Sequence, residues 1–499
     1  MSTDRDSIGF DIEEAARKTM LDNGFLADFG PEVLAAAEAT PPREPRGADA
    51  VRDMRKLPWS SIDNDESRDL DQVEVSERDG DRIRVRVAIA DVDLLVPRGS
   101  PTDEHAGHNT TSVYTGVVIF PMLPERLSTD LTSLNEGVDR RALVTEMLVD
   151  AAGEVVEADV YRALIHNHAK LTYEEIGAWL EGGERPASLD AHPDLVDQVK
   201  MQDEAAQRLR ALRHRRGALV LETIEARPVT VDGKVVDLAL VQKSRARELV
   251  EDFMIAANGA VARFLEGRGI PNIRRVVKAP ERWERLVALA AELGETLPAE
   301  PSSLALAGFL RRRRTAAPET FADLSLSVVK LMGPGEYVVE KPGEESDGHF
   351  GLAAQDYTHS TAPNRRYADL VTQRLVKSSL AGAPLPYTEE ELVLLARRIT
   401  ERENAAKKVE RQMRKVAAAL FLSSRIGERF EAIVTGAASK GTFVRLLHPP
   451  AEGRVVRGAE GLDVGDKVVV ELVDTAPARG FVDFACVEGP KPTLPPPAG

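Results

Sequence analysis

Five acidic side chains crowd into one short stretch of the chain, between Trp59 and Gln72. They are Asp63, Asp65, Glu66, Asp69 and Asp71. Because carboxylates this close repel one another, the cluster ionises more easily when a cation neutralises it. Carboxylate oxygens are also the ligands that Ca²⁺ and Mg²⁺ prefer in proteins. The residue types in this stretch therefore indicate a cation site.

A calcium-binding EF-hand loop is one pattern with which this spacing can be compared. Acidic or hydroxyl residues occupy alternate positions from Asp63 onward, and Glu74 stands at the twelfth position, as in such a loop. Arg68, however, occupies the sixth position, where that loop needs glycine for its turn. The residues that follow read as a strand rather than a helix. The spacing therefore argues against an EF-hand.

A magnesium site for phosphoryl-transfer chemistry fits the same residues better. Asp69 and Asp71 lie two positions apart, so their side chains point the same way in an extended segment. Asp63 precedes Asp69 by six residues, which is enough for the loop to fold back. Mg²⁺ bound there with several waters polarises a phosphodiester and yields hydroxide near neutral pH. A surface loop with aspartate caps is the alternative that these residues alone leave open.

A predicted hairpin positions the acidic stretch. Arg82 to Ala90 alternates polar and apolar residues and then becomes continuously apolar, which predicts a strand. Asp79 and Gly80 give a turn signal before that strand. Further strands are predicted over 113–119, 142–149 and 228–236, and helices over 173–180, 195–212, 247–265, 281–293, 303–312, 319–332, 365–379 and 388–422.

The two ends of the chain differ from this central region. Residues 9–40 read as two short helices around a turn, which fits a helix-turn-helix nucleic-acid module or a small helical cap. A proline-rich linker follows at 40–47. Short strands at 430–435, 441–447, 467–473 and 481–485, with glycines between them, predict a β-barrel of the OB type. We expect the proline-rich tail at 491–499 to be disordered.

Composition excludes several classes of protein but does not identify the partner. The single cysteine, Cys486, excludes an intramolecular disulfide and a zinc site built from several cysteines. We find no signal peptide and no apolar run of about 18 residues, and we expect a cytoplasmic monomer without a membrane partner. The net charge of −16 disfavours phosphate binding. Basic clusters at 208–216, 311–314 and 407–415 nevertheless fit an RNA channel and solvated helix faces about equally.

Seven segments taken together resemble the RNB family of exoribonucleases, which includes ribonuclease II and ribonuclease R. They occur in the family's order and span roughly residues 50–425. Each alone is a weak signal, whereas the set is specific. After the acidic stretch they are V-A-I-A-D-V at 87–92, S-V-Y-T-G at 112–116, P-M-L-P-E-R-L-S at 121–128, K-L-T-Y-E-E-I at 170–176, L-V-E-D-F-M-I-A-A-N at 249–258 and Y-T-H-S-T-A-P-N-R-R-Y-A-D-L at 357–370.

The resemblance implies an α+β fold with three parts. A short helical N-terminal domain with its linker covers 1–46, and an RNB catalytic domain with a mixed sheet and helices covers 47–425. An OB-fold barrel of the S1 type covers 426–489, and the tail covers 490–499. Ribonuclease II and ribonuclease R typically carry two cold-shock OB domains before the catalytic domain, for which about 45 residues are too few. The helical segment replaces them, or their function is missing.

The function implied by the resemblance is processive 3′→5′ hydrolysis of RNA to nucleoside 5′-monophosphates. The expected substrate is single-stranded RNA with a free 3′ end, since the channel of the family excludes duplexes. The expected cofactor is Mg²⁺, with Mn²⁺ as a substitute. A catalytically weakened RNA-binding protein of the same fold is the alternative, and Gln72 is its support.

The resemblance assigns roles to the acidic stretch residue by residue. Asp63 and Asp69 match acidic positions of the metal site, and Asp71 matches the aspartate that family members most need for cleavage. Gln72 stands where the family has a fourth aspartate. An amide oxygen can bind magnesium but brings no charge, so we expect weaker metal binding. Asp65 and Glu66 are expected to be loop residues.

The later motifs imply the residues that hold RNA. Arg365 matches an arginine that contacts the scissile phosphate, and its planar fork suits bidentate binding of phosphate oxygens. Arg366 is expected to bind RNA beside it. A salt bridge to Asp369 at the start of a helix is the alternative for this arginine pair. Tyr114 matches a tyrosine that stacks on bases at the 3′ end, and Leu221 stands where ribonuclease II has the phenylalanine that completes the clamp.

Three further positions complete the RNA site implied by the resemblance. Tyr173 and Glu251 match a tyrosine and a glutamate that help to distinguish RNA from DNA in the family. A carboxylate can accept a hydrogen bond from the ribose 2′-hydroxyl, which DNA lacks. Glu410 matches another glutamate of the channel region.

Overall fold

The computed structural model describes most of the chain. The described residues are 10–42, 51–222, 226–231, 234–240, 243–344, 347–438 and 441–489. The expected disordered tail and the boundary placed at 46/47 lie outside them. In the described parts of the chain, we find no helix that combines the length and the apolar character needed to span a bilayer.

Seventeen strands occur in the described residues. In chain order they are β1 Arg52–Asp53, β2 Trp59–Asp63, β3 Gln72–Asp79, β4 Arg82–Ala90, β5 Val113–Tyr114, β6 Ile119–Phe120, β7 Asp139–Val149, β8 Val155–Thr172, β9 Ala226–Val231, β10 Lys234–Leu240, β11 Asn272–Val276, β12 Glu336–Glu340, β13 Arg429–Ala438, β14 Gly441–Leu446, β15 Glu452–Arg457, β16 Lys467–Ala476 and β17 Phe481–Glu488.

Twelve α-helices occur in the same residues, together with short 3-10 turns and a π-helix at Arg126–Leu131. They are α1 Ile12–Asp22, α2 Pro31–Ala39, α3 Pro101–Asn109, α4 Tyr173–Leu180, α5 Ala187–Ala191, α6 Asp194–Arg216, α7 Arg245–Glu266, α8 Trp283–Glu292, α9 Ser303–Ala316, α10 Phe321–Met332, α11 Tyr367–Ala381 and α12 Glu389–Leu422. Each helix predicted above has a counterpart here.

A six-stranded mixed sheet forms the centre of the catalytic region. Its order is β1-β8-β2-β3-β4-β7, and β8 also pairs with β7, so the sheet closes on itself. The predicted hairpin is confirmed, because β3 and β4 pair antiparallel from Gln72↔Ile89 to Asp79↔Arg82. Strand β2 runs parallel to β8 and antiparallel to β3, which makes the sheet mixed, as expected.

The two faces of this sheet pack into different apolar cores. Val73 and Val75 of β3 belong to a core that includes Leu370 of α11. Ile62 of β2 belongs to the opposite core, which includes Phe253 of α7. Successive residues along each strand point to opposite faces of the sheet. Helices packed on both faces therefore hold the end of β2 and the start of β3 in place. The acidic stretch lies between these two strand ends.

The two N-terminal helices form a cap that is docked onto the catalytic region. Met20 of α1 is buried with Met413 of α12 in one apolar cluster. Asn109 accepts a hydrogen bond from the N–H of Leu26 and donates one to the same residue's carbonyl, at 3.0 and 2.9 Å. Arg126 donates to the carbonyl of Ala37 at 3.1 Å. Nucleic-acid binding by this helix pair stays a prediction.

The C-terminal region is a closed five-stranded barrel of order β13-β14-β15-β17-β16, so the predicted OB-type barrel is confirmed. One of these five strands, β15, was not among the four predicted strands, because the segment from Glu452 to Arg457 has little apolar character. Ala419 and Leu422 at the end of α12 contribute to the barrel core. The long helix therefore joins the barrel to the catalytic region.

One strand prediction was wrong. The segment 113–119 is two short strands, β5 and β6, which pair around a turn. Gly116 in that turn has a φ of +85°, a conformation that side chains rarely adopt. The hydroxyl of Thr115 donates to the carbonyl of Val118 at 2.6 Å and closes the turn. This turn places Tyr114 at the end of β5.

Candidate active site

The acidic stretch meets a distant motif at Asp71. The carboxylate of Asp71 is 2% exposed and accepts a hydrogen bond from the backbone N–H of Asn364 at 3.1 Å. Its other oxygen lies 3.4 Å from Nε of Arg365. Burial raises the pKa of Asp71 to about 7, with Arg365 opposing the shift and Asp69 adding to it. The fold therefore places next to an arginine a buried carboxylate, the negative charge of which is only partly offset.

Asp63 and Asp69 lie at the two ends of the loop between β2 and β3. Asp63 Oδ1 accepts from the backbone N–H of Asn64 at 2.7 Å and from the hydroxyl of Ser67 at 2.8 Å. Burial raises the pKa of Asp69, and the nearby charge of Asp63 adds to this effect. Lys170 of β8 donates to the carbonyl of Ser67 at 2.7 Å. The loop folds back, as its length predicts.

The two adjacent arginines have different environments. The Arg365 side chain is 44% exposed and forms an ion pair with Asp71. Arg366 donates to Asp369 Oδ1 at 2.7 Å, and the Asp369 side chain is fully buried. The helix-start salt bridge that was the alternative for this pair is thus made by Arg366. Arg365 is the arginine with a guanidinium that solvent, or a substrate, can reach.

Gln72 and Glu74 continue the site into the sheet. Gln72 begins β3 and is 8% exposed, so the residue that replaces the family's fourth aspartate is nearly buried. Glu74 is fully buried, and neither of its carboxylate oxygens has a hydrogen-bond partner among the described residues. Burial, together with the charge of Asp63, raises the pKa of Glu74 to about 8. Sequence reasoning gave Glu74 no role, although its spacing from Gln72 on a buried strand was a usable signal.

The structure brings Tyr114 and Glu410 together. The backbone N–H of Tyr114 donates to Glu410 Oε1 at 3.2 Å, which links the β5–β6 hairpin to α12. The side chain of Tyr114 is 41% exposed, yet its phenol group is desolvated and lies within reach of the charges of Asp69 and Asp71. Desolvation and these charges raise its pKa. Tyr114 therefore faces the acidic cluster.

Tyr173 lies on the other side of the cluster, at the start of α4. Burial raises its pKa, and the charges of Asp63 and Glu74 add to the shift. The guanidinium of Arg247 covers its ring at 4.3 Å from the centroid. Arg247 also donates to Asn64 Oδ1 at 2.8 Å, so it ties α7 to the acidic loop. Sequence reasoning missed this arginine, since nothing in its local pattern marks it.

Glu251 and Leu221 occupy less central positions. Glu251 is exposed on α7, one turn after Arg247. Burial raises the pKa of the neighbouring Asp252, and the charge of Glu251 adds a smaller effect. Leu221 is half-buried against the apolar cluster that contains Trp283. The pairing of Leu221 with Tyr114 stays a prediction.

Comparison with known proteins agrees with this arrangement. The RNB domain matches residues 51–382, and the RNase II-type exonuclease C-terminal S1 domain matches residues 428–487. This chain belongs to the RNB family. The geometry around Asp71 and Arg365 thus lies inside the part of the chain that defines the family, and the barrel corresponds to the family's S1 domain.

Two relatives align with most of this chain and are themselves longer than it. Ribonuclease R 1 of Lactococcus lactis is 31% identical over 454 residues, which are 88% of this chain and 54% of that protein. Ribonuclease R of Thermotoga maritima is 30% identical over 495 residues, which are 92% of this chain and 68% of that protein. The RNB chain described here therefore spans about half to two thirds of the length of these relatives.

A solved structure confirms the fold. Mycoplasma genitalium RNase R in complex with ribose methylated single-stranded RNA superposes with a TM-score of 0.86 at 23% identity. The superposition covers 96% of this chain and 78% of that one. At this identity the likeness shows the RNB fold and its barrel.

The donor types at this RNB site suit a hard divalent cation, although the oxygens of Asp63, Asp69 and Asp71 do not all lie within 4.8 Å of one another in this structure. Asp63, Asp69 and Asp71 offer carboxylate oxygens, and Gln72 offers an amide oxygen, which are the ligand types that Mg²⁺ prefers. Burial raises the pKa of Asp69 and of Asp71, and the charge of a neighbouring aspartate adds to each shift. A cation at this position would offset that repulsion.

A second acidic cluster lies elsewhere and encloses an arginine. Among the described residues, Glu266, Glu340 and Asp356 bring three ligand atoms within 4.8 Å of one another. Arg274, only 2% exposed in its side chain, lies among them at 2.7 Å from Glu266, 3.5 Å from Glu340 and 3.9 Å from Asp356. Because a buried arginine contacts all three carboxylates, we interpret this cluster as an ion-pair network.

Proposed function

We propose that this chain is a processive 3′→5′ exoribonuclease that hydrolyses single-stranded RNA from a free 3′ end to nucleoside 5′-monophosphates. The observation that carries the proposal is the contact of Asp71 with Arg365, at 3.4 Å. Two RNB motifs almost 300 residues apart meet there, a carboxylate from the acidic stretch and a solvent-accessible arginine. This pairing suits phosphodiester hydrolysis, in which one group activates water and the other binds the phosphate.

The arginine binds the scissile phosphate in this proposal. Its guanidinium fork pairs with two phosphate oxygens and stabilises the charge that develops on them. The single contact of Arg365 with Asp71 is long, so a phosphate can replace it without unpairing a strong salt bridge. Arg366 is held by Asp369 and keeps the start of α11 in place. We assign Arg366 to this supporting role, beside rather than on the RNA.

In this proposal Asp71 accepts the proton of the attacking water. Its backbone contact with Asn364 fixes one carboxylate oxygen, which leaves Oδ2 beside the phosphate that Arg365 holds. An ionised carboxylate beside the phosphate can accept the proton of that water as a general base. Mg²⁺ or Mn²⁺, held by Asp63, Asp69 and Gln72, would supply the charge that lowers the pKa of that water.

The RNA end is held by residues on both sides of the cluster. Tyr114, supported by Glu410, offers a ring on which a base stacks, and stacking tolerates every base. Tyr173 and Glu251 lie on the α4–α7 side, where they would contact ribose hydroxyls, which DNA lacks. Leu221, at the position of the clamp phenylalanine of ribonuclease II, would add a weaker apolar contact with the base.

Incubation with a 5′-labelled single-stranded RNA tests the proposal. We expect stepwise shortening in Mg²⁺ or Mn²⁺, release of 5′-monophosphates detected by mass spectrometry, and no shortening of an all-deoxy strand. Protection of the labelled RNA without any shortening would instead support the RNA-binding alternative that Gln72 suggests. An increase in free 5′ label without a ladder would indicate cleavage from the other end.

The matched control is Asp71→Asn, which keeps the shape of the side chain and removes its charge. We expect this variant to bind RNA as the wild type does, and to release monophosphates at least about 1,000-fold more slowly, as for removal of a central catalytic group. A gel-shift titration and the release assay measure the two quantities. Normal cleavage by the variant would show that the active site lies elsewhere.

A further inference from the structure

Arg247 joins three parts of the candidate site through one guanidinium. The group lies over the ring of Tyr173, at 4.3 Å from the ring centroid. Its Nη2 donates to Asn64 Oδ1 in the acidic loop at 2.8 Å and to Glu174 Oε1 on α4 at 3.2 Å. Glu251 follows Arg247 by four residues on α7, so the two side chains lie on the same face of that helix. Two helices and the loop therefore meet at this arginine.

The contact with Asn64 reaches a proposed ligand of the cation. A side-chain amide has an oxygen that accepts and a nitrogen that donates, whereas a guanidinium only donates. The bond from Arg247 therefore holds the amide oxygen of Asn64 and turns its nitrogen the other way. That nitrogen lies 3.5 Å from Asp63 Oδ1, the oxygen that also accepts from the backbone N–H of Asn64 at 2.7 Å. Arg247 thus orients the amide that lies beside Asp63.

Close packing of α4 on α7 brings the ring and the guanidinium together. Gly177 is buried on α4, one turn after Tyr173, and a Cβ atom there would lie 2.8 Å from the Cβ atom of Ser244. Ser244 is the N-cap of α7, and its hydroxyl accepts a hydrogen bond from the N–H of Arg247 at 3.4 Å. Because a side chain at position 177 would push the two helix ends apart, the glycine permits the contact of Tyr173 with the arginine.

Neither the helix nor the surface ion pair requires an arginine at this position. Arg247 is the third residue of α7, and the N-terminal turn of a helix favours acidic side chains because of the helix dipole. The Arg247 side chain is 31% exposed and that of Glu174 is 67% exposed, so their ion pair contributes little on its own. The contacts that distinguish Arg247 from a solvated arginine are those with Tyr173 and Asn64.

We propose that Arg247 is a positioning residue that holds the ring of Tyr173 against the acidic loop and thereby sets the selectivity for RNA over DNA. The inference rests on the proposed function, in which Tyr173 and Glu251 contact ribose hydroxyls. The guanidinium over the ring fixes the plane of the ring, and the bond to Asn64 fixes its place relative to the loop. A ribose bound to this fixed surface places its phosphate for attack, whereas a deoxyribose lacks the contact and gains nothing from it.

Stepwise shortening of two labelled strands tests the inference. One is an all-ribose RNA, and the other is the same RNA with 2′-deoxynucleotides at its 3′-terminal positions. Selectivity is the ratio of their kcat/KM values, measured in Mg²⁺ with the full chain. In Arg247→Met, which keeps an unbranched side chain, we expect kcat on RNA to fall about 10- to 100-fold and KM to change by less than about threefold, because the bound ribose is misplaced rather than released. The rate on the deoxy-substituted strand should stay within about threefold of the wild type, so selectivity falls.

Two further substitutions provide the controls. Glu174→Gln removes the exposed ion pair and leaves the contacts with Tyr173 and Asn64, so we expect selectivity within about twofold of the wild type. Arg247→Lys keeps a cation near the ring but loses the planar fork, so it should recover part of the selectivity that Arg247→Met loses. Three results overturn the inference: unchanged selectivity in Arg247→Met, an equal loss in Glu174→Gln, or an Arg247→Lys variant no better than Arg247→Met.

A double-mutant cycle separates positioning through Tyr173 from a direct role of the arginine in catalysis. If Arg247 acts through the ring, Arg247→Met adds little to the loss caused by Tyr173→Leu. The selectivity of the double variant should then lie within about threefold of that of Tyr173→Leu alone. Losses that multiply overturn the inference. Circular dichroism and urea unfolding show whether each variant is folded, and the same cycle with Arg247→Lys replaces this one should Arg247→Met fold poorly.

The outcomes separate this inference from the proposed function. A wild type that shortens RNA stepwise, together with an Arg247→Met variant of unchanged selectivity, contradicts the role of Arg247 alone. A wild type that binds RNA without shortening it contradicts the proposed function and this inference with it.

Discussion

Two clusters of carboxylates and arginine in this chain solve the same electrostatic problem in different ways. At Arg274 the fold surrounds one buried arginine with three carboxylates, and the arginine is 2% exposed. At Arg365 the fold leaves the arginine 44% exposed, at 3.4 Å from one of several carboxylates. The first cluster encloses its arginine, so no other group can reach that guanidinium. The second leaves its guanidinium accessible, which is what binding of a phosphate requires.

The comparison teaches that acidic density alone does not distinguish a structural network from a site. The more compact trio, Glu266, Glu340 and Asp356, is the structural one. In the acidic stretch, Asp71 and Glu74 have raised pKa values because burial is not offset by a built-in cation. Unsatisfied charge next to a solvent-accessible arginine is the better indicator of function. Three substitutions test the difference between the clusters.

The largest effect on stability is expected from Arg274→Met. Removing the arginine leaves three neighbouring carboxylates without their counter-charge, of which Glu340 is buried. We expect the free energy of unfolding to fall by about 3–5 kcal/mol, as for other broken buried ion pairs. Urea unfolding measures it. Arg268→Met, at an exposed position nearby in sequence, should change it by less than about 1 kcal/mol.

The rate of monophosphate release per folded molecule should be unchanged in Arg274→Met, since the arginine belongs to the structural network. A loss of rate as large as that of Asp71→Asn, at full folding by circular dichroism, would show that the two clusters are functionally coupled and that the comparison is wrong.

Arg365→Lys should reduce activity rather than stability. Lysine keeps the charge but loses the planar fork, so phosphate binding in the transition state becomes weaker. We expect kcat/KM for a single-stranded RNA to fall about 10- to 100-fold, with a change in unfolding free energy below about 1 kcal/mol. Arg366→Lys is the matched control, and it should mainly reduce stability, since its partner Asp369 is fully buried. The reverse pattern would exchange the roles of the two arginines.

The smallest effect is a gain of stability in Asp71→Asn without metal. The pKa of Asp71 is raised to about 7 in the folded protein, above its value of 3.8 in an unfolded chain. The folded state therefore holds the proton more tightly, and the favourable contribution present below pH 3.8 is lost as pH rises through 7. At pH 8 the ionised carboxylate is destabilising, and its removal should raise Tm by about 2–4 °C.

Differential scanning calorimetry at pH 8 and at pH 5 measures this gain, which should be smaller at pH 5, where the wild-type carboxyl group keeps its proton. Addition of Mg²⁺ should raise the Tm of the wild type and have less effect on the variant. Asp356→Asn provides the contrast, because it removes a partner of Arg274 and should lower Tm at both pH values. A lower Tm for Asp71→Asn at pH 8 would show that Arg365 fully compensates the carboxylate.

Sequence patterns predicted the local elements well where one physical signal dominates. The hairpin of β3 and β4 followed from alternation around a turn, and α12 from helical periodicity over a long segment. Long-range pairing escaped prediction. Strand β8, with 18 residues, pairs with β7, β2 and β1, and nothing local in its sequence indicates so many partners. The fifth barrel strand was missed because its neighbours rather than its own composition stabilise it.

The sequence by itself determined the acidic stretch, the RNB family and the glutamine at position 72, because residue types and spacing are properties of the chain. Only the tertiary structure decided which of the two adjacent arginines is exposed. Arg366 pairs with the buried Asp369, whereas the Arg365 side chain remains accessible to solvent. It also decided that Glu74 is a buried, unpartnered carboxylate behind Gln72. Whether a side chain is buried or paired depends on the residues that other segments pack against it. The energy of a charge depends on that environment more than on the adjacent residues in the sequence.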